Sequence, residues 1–139
     1  MHVRLYSDGG ARGNPGPAGA GYIIYAVDED GNQTDRLFEG NEYMGVATNN
    51  QAEYHAIVIG LEKALELNAT SVDSVLDSEL CVKQLNREYK VKNEILAKKF
   101  IEVYNLQTKF EKVTFRHVRR EYNKEADAQV NIAIDEALK

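Results

Sequence analysis

Apolar and polar residues alternate from the first positions of the chain. Between His2 and Ser7, the residues Val3, Leu5 and Ser7 fall on one side and Arg4 and Tyr6 on the other. This two-residue period is that of a half-buried strand. Ala18 to Val27 reads as a second strand, centred on Tyr22-Ile23-Ile24-Tyr25. Asp28-Glu29-Asp30-Gly31 reads as a hairpin turn, and Gln33 to Met44 as a third strand. The period then changes. Ala52, Ala56, Ile57, Ile59, Gly60, Ala64 and Leu67 recur at helical spacing and predict a helix to about Asn68. Asn50 followed by Glu53 has the form of a capping box at its start.

The second half is expected to continue with a strand from Ser71 to Leu76, ending at Asp77, and a helix from Ser78 to Arg87. After the polar connection Tyr89 to Lys92, Asn93 opens a longer helix to Leu106. Its stripe is Ile95, Leu96, Phe100, Val103 and Leu106. Lys112 to Val118 is a fifth strand, and Asn123 is expected to cap a last helix with Ala126, Val130, Ala133, Ile134, Ala137 and Leu138 on its apolar face. The order β-β-β-α-β-α-α-β-α predicts an α/β fold. It is a five-stranded mixed sheet, a three-strand antiparallel meander plus parallel strands, flanked by helices.

Composition changes this picture little. The length, 139 residues, suits one domain over residues 1–139. No apolar run is long enough to span a membrane, and Arg4 and Asp8 interrupt any leader-like segment. A single cysteine, Cys81, leaves no internal disulfide and no cysteine metal site. It is expected to be a buried spectator. The expectation is a soluble, cytoplasmic monomer without a membrane partner. The net charge of −5 argues mildly against a nucleic-acid partner, but its distribution argues for one. Between Arg87 and Lys124 stand eleven Lys/Arg against five acids, so a basic face can lie beside an acidic site.

The most unusual stretch is Ser7-Asp8-Gly9-Gly10-Ala11-Arg12-Gly13-Asn14-Pro15-Gly16-Pro17-Ala18-Gly19-Ala20-Gly21, which holds six of the ten glycines and both prolines. It reads as a tight, shaped loop that leaves the Asp8 carboxylate at a strand end with open space beside it. Three further acids occupy comparable places. Asp77 ends the fourth strand, Glu53 lies in the first turn of the first helix, and Asp127 lies in the first turn of the last. Each has an ordinary structural use: a turn residue, a capping-box partner, an N-cap, a helix-dipole acid. Together they suggest a cluster. Crowded carboxylates raise one another's pKa, and hard divalent cations relieve the crowding. Two such ions about 3.5–4 Å apart can activate a water and stabilise the leaving oxygen of a phosphoryl displacement.

Four motifs now stand in order along the chain. They are Asp8-Gly9-Gly10 with Gly13-Asn14-Pro15-Gly16-Pro17-Ala18-Gly19, then Thr48-Asn49-Asn50-Gln51-Ala52-Glu53, then Asp77-Ser78, and last Asn123-Lys124-Glu125-Ala126-Asp127. In sequence and spacing the chain resembles ribonuclease H of type I over essentially its whole length. The resemblance implies an endonuclease that cuts the RNA strand of RNA/DNA hybrids, leaving 5′-phosphate and 3′-hydroxyl ends with two Mg²⁺ ions, Mn²⁺ being able to substitute. It implies that Asp8 bridges the two ions. Asp127 would join it on the ion that activates water, and Glu53 and Asp77 on the ion facing the leaving group. Glu53 would also touch a ribose 2′-hydroxyl, the group that separates RNA from DNA. Gly13, Asn14 and Asn49 match positions that read the minor groove. Thr48 and Asn50 match positions that bind a DNA phosphate.

Two departures matter. Many bacterial members carry an extra short helix and a basic loop that grips the hybrid. Here only Arg87-Glu88-Tyr89-Lys90-Val91-Lys92 separates the two helices, so the chain looks like a compact form without that protrusion, with weaker binding expected. Some members also have a mobile histidine before the last aspartate. His117 has a suitable offset but sits in Phe115-Arg116-His117-Val118, which reads as strand, where a histidine is more often structural, and Arg119 or Arg120 could instead sit over the scissile phosphate. Three other functions stay open: a nuclease that also takes double-stranded RNA or a DNA junction, a catalytically silent hybrid-binding module, and a nucleotide-binding domain. The last lacks a Lys-Ser/Thr after its glycines and a helix directly behind them.

Overall fold

The computed structural model describes residues 1–139. β1 (His2–Ala11), β2 (Gly16–Val27) and β3 (Gln33–Ala47) form the meander. They are followed by α1 (Asn49–Glu66), β4 (Ser71–Leu76), α2 (Glu79–Leu85), α3 (Glu94–Gln107), β5 (Lys112–His117) and α4 (Lys124–Ala137). The sheet order is β3-β2-β1-β4-β5. β1 pairs antiparallel with β2, and β2 with β3, while β4 runs parallel to β1, and β5 to β4. This is the mixed sheet that the alternation and the two crossovers predict.

Local chemistry sets the turns. The Asp28 carboxylate accepts from the backbone N–H groups of Asp30 and Asn32 (3.0 and 2.9 Å), which closes the β2–β3 hairpin. α1 packs on one face of β1 and β2, over the fully buried Val3 and Leu5. α3 lies against α1, and α4 covers β1, β2 and β3 from the other face. Cys81 is buried and free. No helix is long and apolar enough to cross a membrane.

Several expectations change. The Gly/Pro stretch is not a long loop. β1 continues through Gly9 and Gly10 to Ala11, and β2 starts at Gly16, so only residues 12–15 form the connection. The α1 capping box is Thr48 with Gln51, not Asn50 with Glu53. Thr48 Oγ1 accepts from the Gln51 N–H (3.2 Å), and the Thr48 N–H donates to Gln51 Oε1 (2.9 Å). Glu53 is thereby left free. Ser78, rather than Asp77, caps α2, accepting from the Cys81 N–H at 3.2 Å. Ile95 is exposed (54%) despite its place in the expected stripe, because α3 buries only Leu96 and Val103. Asn123 occupies the N-cap position of α4 but makes no side-chain cap.

Candidate active site

The four acids converge because the sheet register and two glycines allow it. Asp8 lies on β1 opposite Gly21 of β2. β4 runs parallel to β1 with Tyr6 beside Val75, so Asp77 leaves the sheet next to Asp8. On one face, a Cβ at Gly9 would collide with the backbone of Ala52 and Glu53. Its absence lets the first turn of α1 lie directly on β1 and brings Glu53 to Asp8. On the opposite face, a Cβ at Gly21 would stand 2.7 Å from the Ala126 carbonyl oxygen and 2.8 Å from the Val130 nitrogen. α4 therefore sits close enough to bring Asp127 in. Asp8, Glu53, Asp77 and Asp127 line one cleft of about 210 Å³, together with Asn49 and Arg120. The largest cavity, about 490 Å³, is elsewhere, between α2 and α3, and holds none of these acids.

Crowding and burial strain the acids electrostatically. Burial, then the neighbouring charges of Asp77, Asp127 and Glu53, push the Asp8 carboxyl up from 3.8 to about 8. Burial, reinforced by Asp77, raises Glu53 from 4.5 to about 7, while the Ser78 hydroxyl and the Arg120 charge pull it back. Glu53 Oε2 is buried with no hydrogen-bond partner. No three His, Cys, Asp or Glu side chains already stand close enough to hold an ion by themselves. The donor set is nonetheless that of a hard cation: oxygen ligands only, one of them orphaned and one holding a proton near neutrality. A cation that keeps several of its own waters needs only one or two such carboxylates at a time.

Residues 6–133 match the family model described as "Reverse transcriptase-like". The chain is 38% identical to the ribonuclease HI of Halobacterium salinarum over 135 residues, 97% of this chain and 65% of that protein. The crystal structure of that archaeal enzyme superposes with a TM-score of 0.90, covering 98% of this chain and 99% of the solved one. A ribonuclease H of Sulfurovum is 37% identical over 72% of this chain and 68% of its own length. The chain belongs to the type I ribonuclease H family. A member isolated from compost, solved in complex with an RNA/DNA hybrid, is 42% identical, with a TM-score of 0.87 and 99% of both chains covered. A bifunctional protein of Mycobacterium tuberculosis is 38% identical over 99% of this chain, which spans 36% of that protein's length.

The ribonuclease H fold brings most of the sequence-predicted residues to the cleft or its rim. Asn49 lines the cleft, and its Oδ1 accepts from the Ala11 N–H (2.7 Å). Asn14 Oδ1 accepts from the Asn49 N–H (3.0 Å), so the β1–β2 turn, with the exposed Gly13 at φ +90°, is laced to the start of α1. Thr48 is occupied as the cap, and Asn50 lies half-buried in the first turn. Of the three auxiliary candidates, only Arg120 reaches the cleft. His117 ends β5, exposed and paired with Leu76, as its strand setting predicts. Arg119 is turned out to Glu121, with its side chain 80% exposed. Sequence reasoning missed the Ser78 hydroxyl beside Glu53 and the close-approach use of Gly21. Ser78 was visible only as the neighbour of Asp77.

Proposed function

We propose that this chain hydrolyses the RNA strand of RNA/DNA hybrids. The observation that carries the reading is the single cleft lined by Asp8, Glu53, Asp77 and Asp127, in a chain of this family. The hybrid-bound compost relative supports the choice of substrate. Water attacks the phosphorus, the bond to the 3′-oxygen breaks, and the products carry a 5′-phosphate and a 3′-hydroxyl that takes up the proton. Asp8, Glu53, Asp77 and Asp127 would hold Mg²⁺, which supplies Lewis-acid activation and charge neutralisation when bound. Burial and its acidic neighbours push the Asp8 carboxyl up to about 8 without an ion, so Asp8 would have to give up its proton for a cation to be held there near neutral pH. Arg120 adds a fixed positive charge on the cleft wall, suited to a scissile phosphate. Asn49, with Asn14 latched to it, presents amide groups at the rim for the sugar edges of a minor groove.

A cleavage assay on end-labelled RNA annealed to DNA tests this. RNA/RNA, DNA/DNA and single-stranded RNA run beside it, with Mg²⁺, Mn²⁺ or chelator. Metal-dependent cuts confined to the RNA of the hybrid are expected. Cuts in RNA/RNA as well would show relaxed groove recognition. No cleavage by folded protein under either metal would overturn the reading in favour of a silent binding module.

A further inference from the structure

Asn123 sits where a helix cap belongs, and its side chain is used for something else. It is 1% exposed and stands directly before α4 with φ −126° and ψ 24°. Asparagine is among the best N-cap residues, yet no backbone N–H of α4 donates to its side chain. Instead its Nδ2 donates to the Ser7 carbonyl (2.9 Å) and to Asp77 Oδ2 (3.2 Å). Both partners are pure acceptors, so the amide orientation is fixed by its neighbours. Its Oδ1 is left buried without a partner. Its main-chain oxygen accepts from the Asp127 N–H (3.1 Å).

One residue thus touches the three elements that deliver three acids. It binds Asp77 itself, the peptide joining Ser7 to Asp8 on β1, and the first turn of α4 that carries Asp127. A residue selected for stability alone would cap the helix and bury no orphan oxygen. We infer that Asn123 is a positioning residue that fixes the spacing of Asp8, Asp77 and Asp127 for cation binding. This rests on the function proposed above. It assigns the Asn123 side chain to the cleft rather than to the helix. The amide holds one Asp77 oxygen and so fixes the orientation of that carboxylate. Such outer partners of ligating groups set metal affinity through orientation.

The test compares wild type, Asn123→Ala and Asn123→Ser. Titration calorimetry of the metal-free proteins with MgCl₂ reads binding without catalysis. Hybrid cleavage across a Mg²⁺ series reads kcat and KM, and thermal melts read the fold. Serine restores a good cap and cannot span to both acceptors. The expected result for both variants is a Mg²⁺ affinity lower by about 10–100-fold. The kcat at fixed Mg²⁺ should fall in step and recover at high Mg²⁺, with the KM for hybrid unchanged. Asn123→Ser should melt no lower than wild type, so stability and metal affinity part company. Wild-type Mg²⁺ affinity in both variants would overturn the inference, as would a loss found only where the melting temperature falls. If wild type binds Mg²⁺ but cleaves nothing, the proposed function fails and the calorimetric comparison still decides the role of Asn123.

Discussion

The approach of α4 to the sheet at Gly21 can be perturbed by one methyl group. In Gly21→Ala the new Cβ would lie 2.6 Å from Gln129 Cβ, 2.7 Å from the Ala126 oxygen and 2.8 Å from the Val130 nitrogen. Comfortable contact is about 3.5–4.0 Å, and two of the three atoms are backbone, so α4 must withdraw by about 1 Å. Overpacking of this kind costs about 1–3 kcal/mol. For a domain of this size that corresponds to a fall of about 3–10 °C in melting temperature. Asp127 follows Ala126 and moves with the helix. A displacement of about 1 Å in a reacting constellation can cost about 100-fold in rate. Gly10→Ala is the matched control. It lies on the same face, but its Cβ would meet only Val130 Cγ1 at 3.8 Å, an ordinary contact. It should leave α4 in place and be neutral or stabilising by up to about 1 kcal/mol, so it serves as the control for packing rather than for rate, because Gly10 itself lines the cleft. The assay is hybrid cleavage under saturating Mg²⁺, with thermal melts on the same preparations. Full activity in Gly21→Ala, or an equal fall in melting temperature in Gly10→Ala, would refute the claim that close approach at Gly21 places Asp127.

Other expectations follow from the charges. Asp77→Asn should abolish cleavage while leaving the fold intact, and retained activity would remove Asp77 from the site. Asp8 keeps its proton to about pH 8 when folded and loses it near 3.8 when unfolded, so between those values the folded state binds more protons. Stability of the metal-free protein should therefore fall as pH rises through that window, and Asp8→Asn should melt higher than wild type at pH 8 in chelator. An unchanged slope in the variant would show that Asp8 is not the group responsible. On β4, Asp73 accepts from Arg4 and Arg116 (2.8 and 3.0 Å), and its carboxyl is held below its ordinary value. That contribution is present above about pH 4 and is lost as pH falls through the lowered pKa. Asp73→Ala should cost about 2 kcal/mol at pH 7 and less in acid, by urea denaturation. Hybrid affinity should fall as salt rises, and a flat dependence would mean the Arg87–Lys124 segment does not reach phosphates.

How much of this was legible in the sequence follows the range of the forces involved. Strand alternation and helical periodicity are local signals, and they placed β1, β4, α1 and the order of the elements along the chain. Asp77, Glu53 and Asp127 were legible because each stands at or near an element boundary, and the fold brings such ends together, whereas Asp8, expected at a strand end, lies within β1. What escaped was set by contacts between elements distant in sequence. Gly9 and Gly21 look like loop formers until helices are seen to rest on them. Asn50 and Glu53 match a capping pattern, but Thr48 and Gln51 fit the same pattern two residues earlier, and only the chain's entry angle decides between them. Arg119 and Arg120 are neighbours of identical chemistry, and the 3-10 turn at Arg120–Tyr122 turns one into the cleft and the other away.

Most of the places where this chain departs from its most stable arrangement lie together. Three of the four buried, unpaired side-chain oxygens, Glu53 Oε2, Ser7 Oγ and Asn123 Oδ1, belong to residues at the cleft or touching those that line it, and the fourth, Ser74 Oγ, lies on β4 and does not line it. Asp8 and Glu53 are held where their charged forms are disfavoured. Unpaired buried oxygens and crowded acids each oppose folding. Such features persist where the surrounding structure overrides them. Here the override is visible: the Arg4–Asp73–Arg116 ion pairs tie β1, β4 and β5 together at Asp73, earlier on the strand that leads to Asp77, and glycine-mediated contact clamps a helix on each face at Asp8. A rigid frame around a destabilised centre predicts a particular response to Mg²⁺. Because the frame does not depend on the ion, chelation should leave the protein folded. Because the centre is strained without one, millimolar Mg²⁺ should raise the melting temperature, and in Asp8→Asn that gain should shrink. A protein that unfolds on chelation would show that the ion builds the frame. One whose melting curve ignores Mg²⁺ would show that the acids are too far apart to share it.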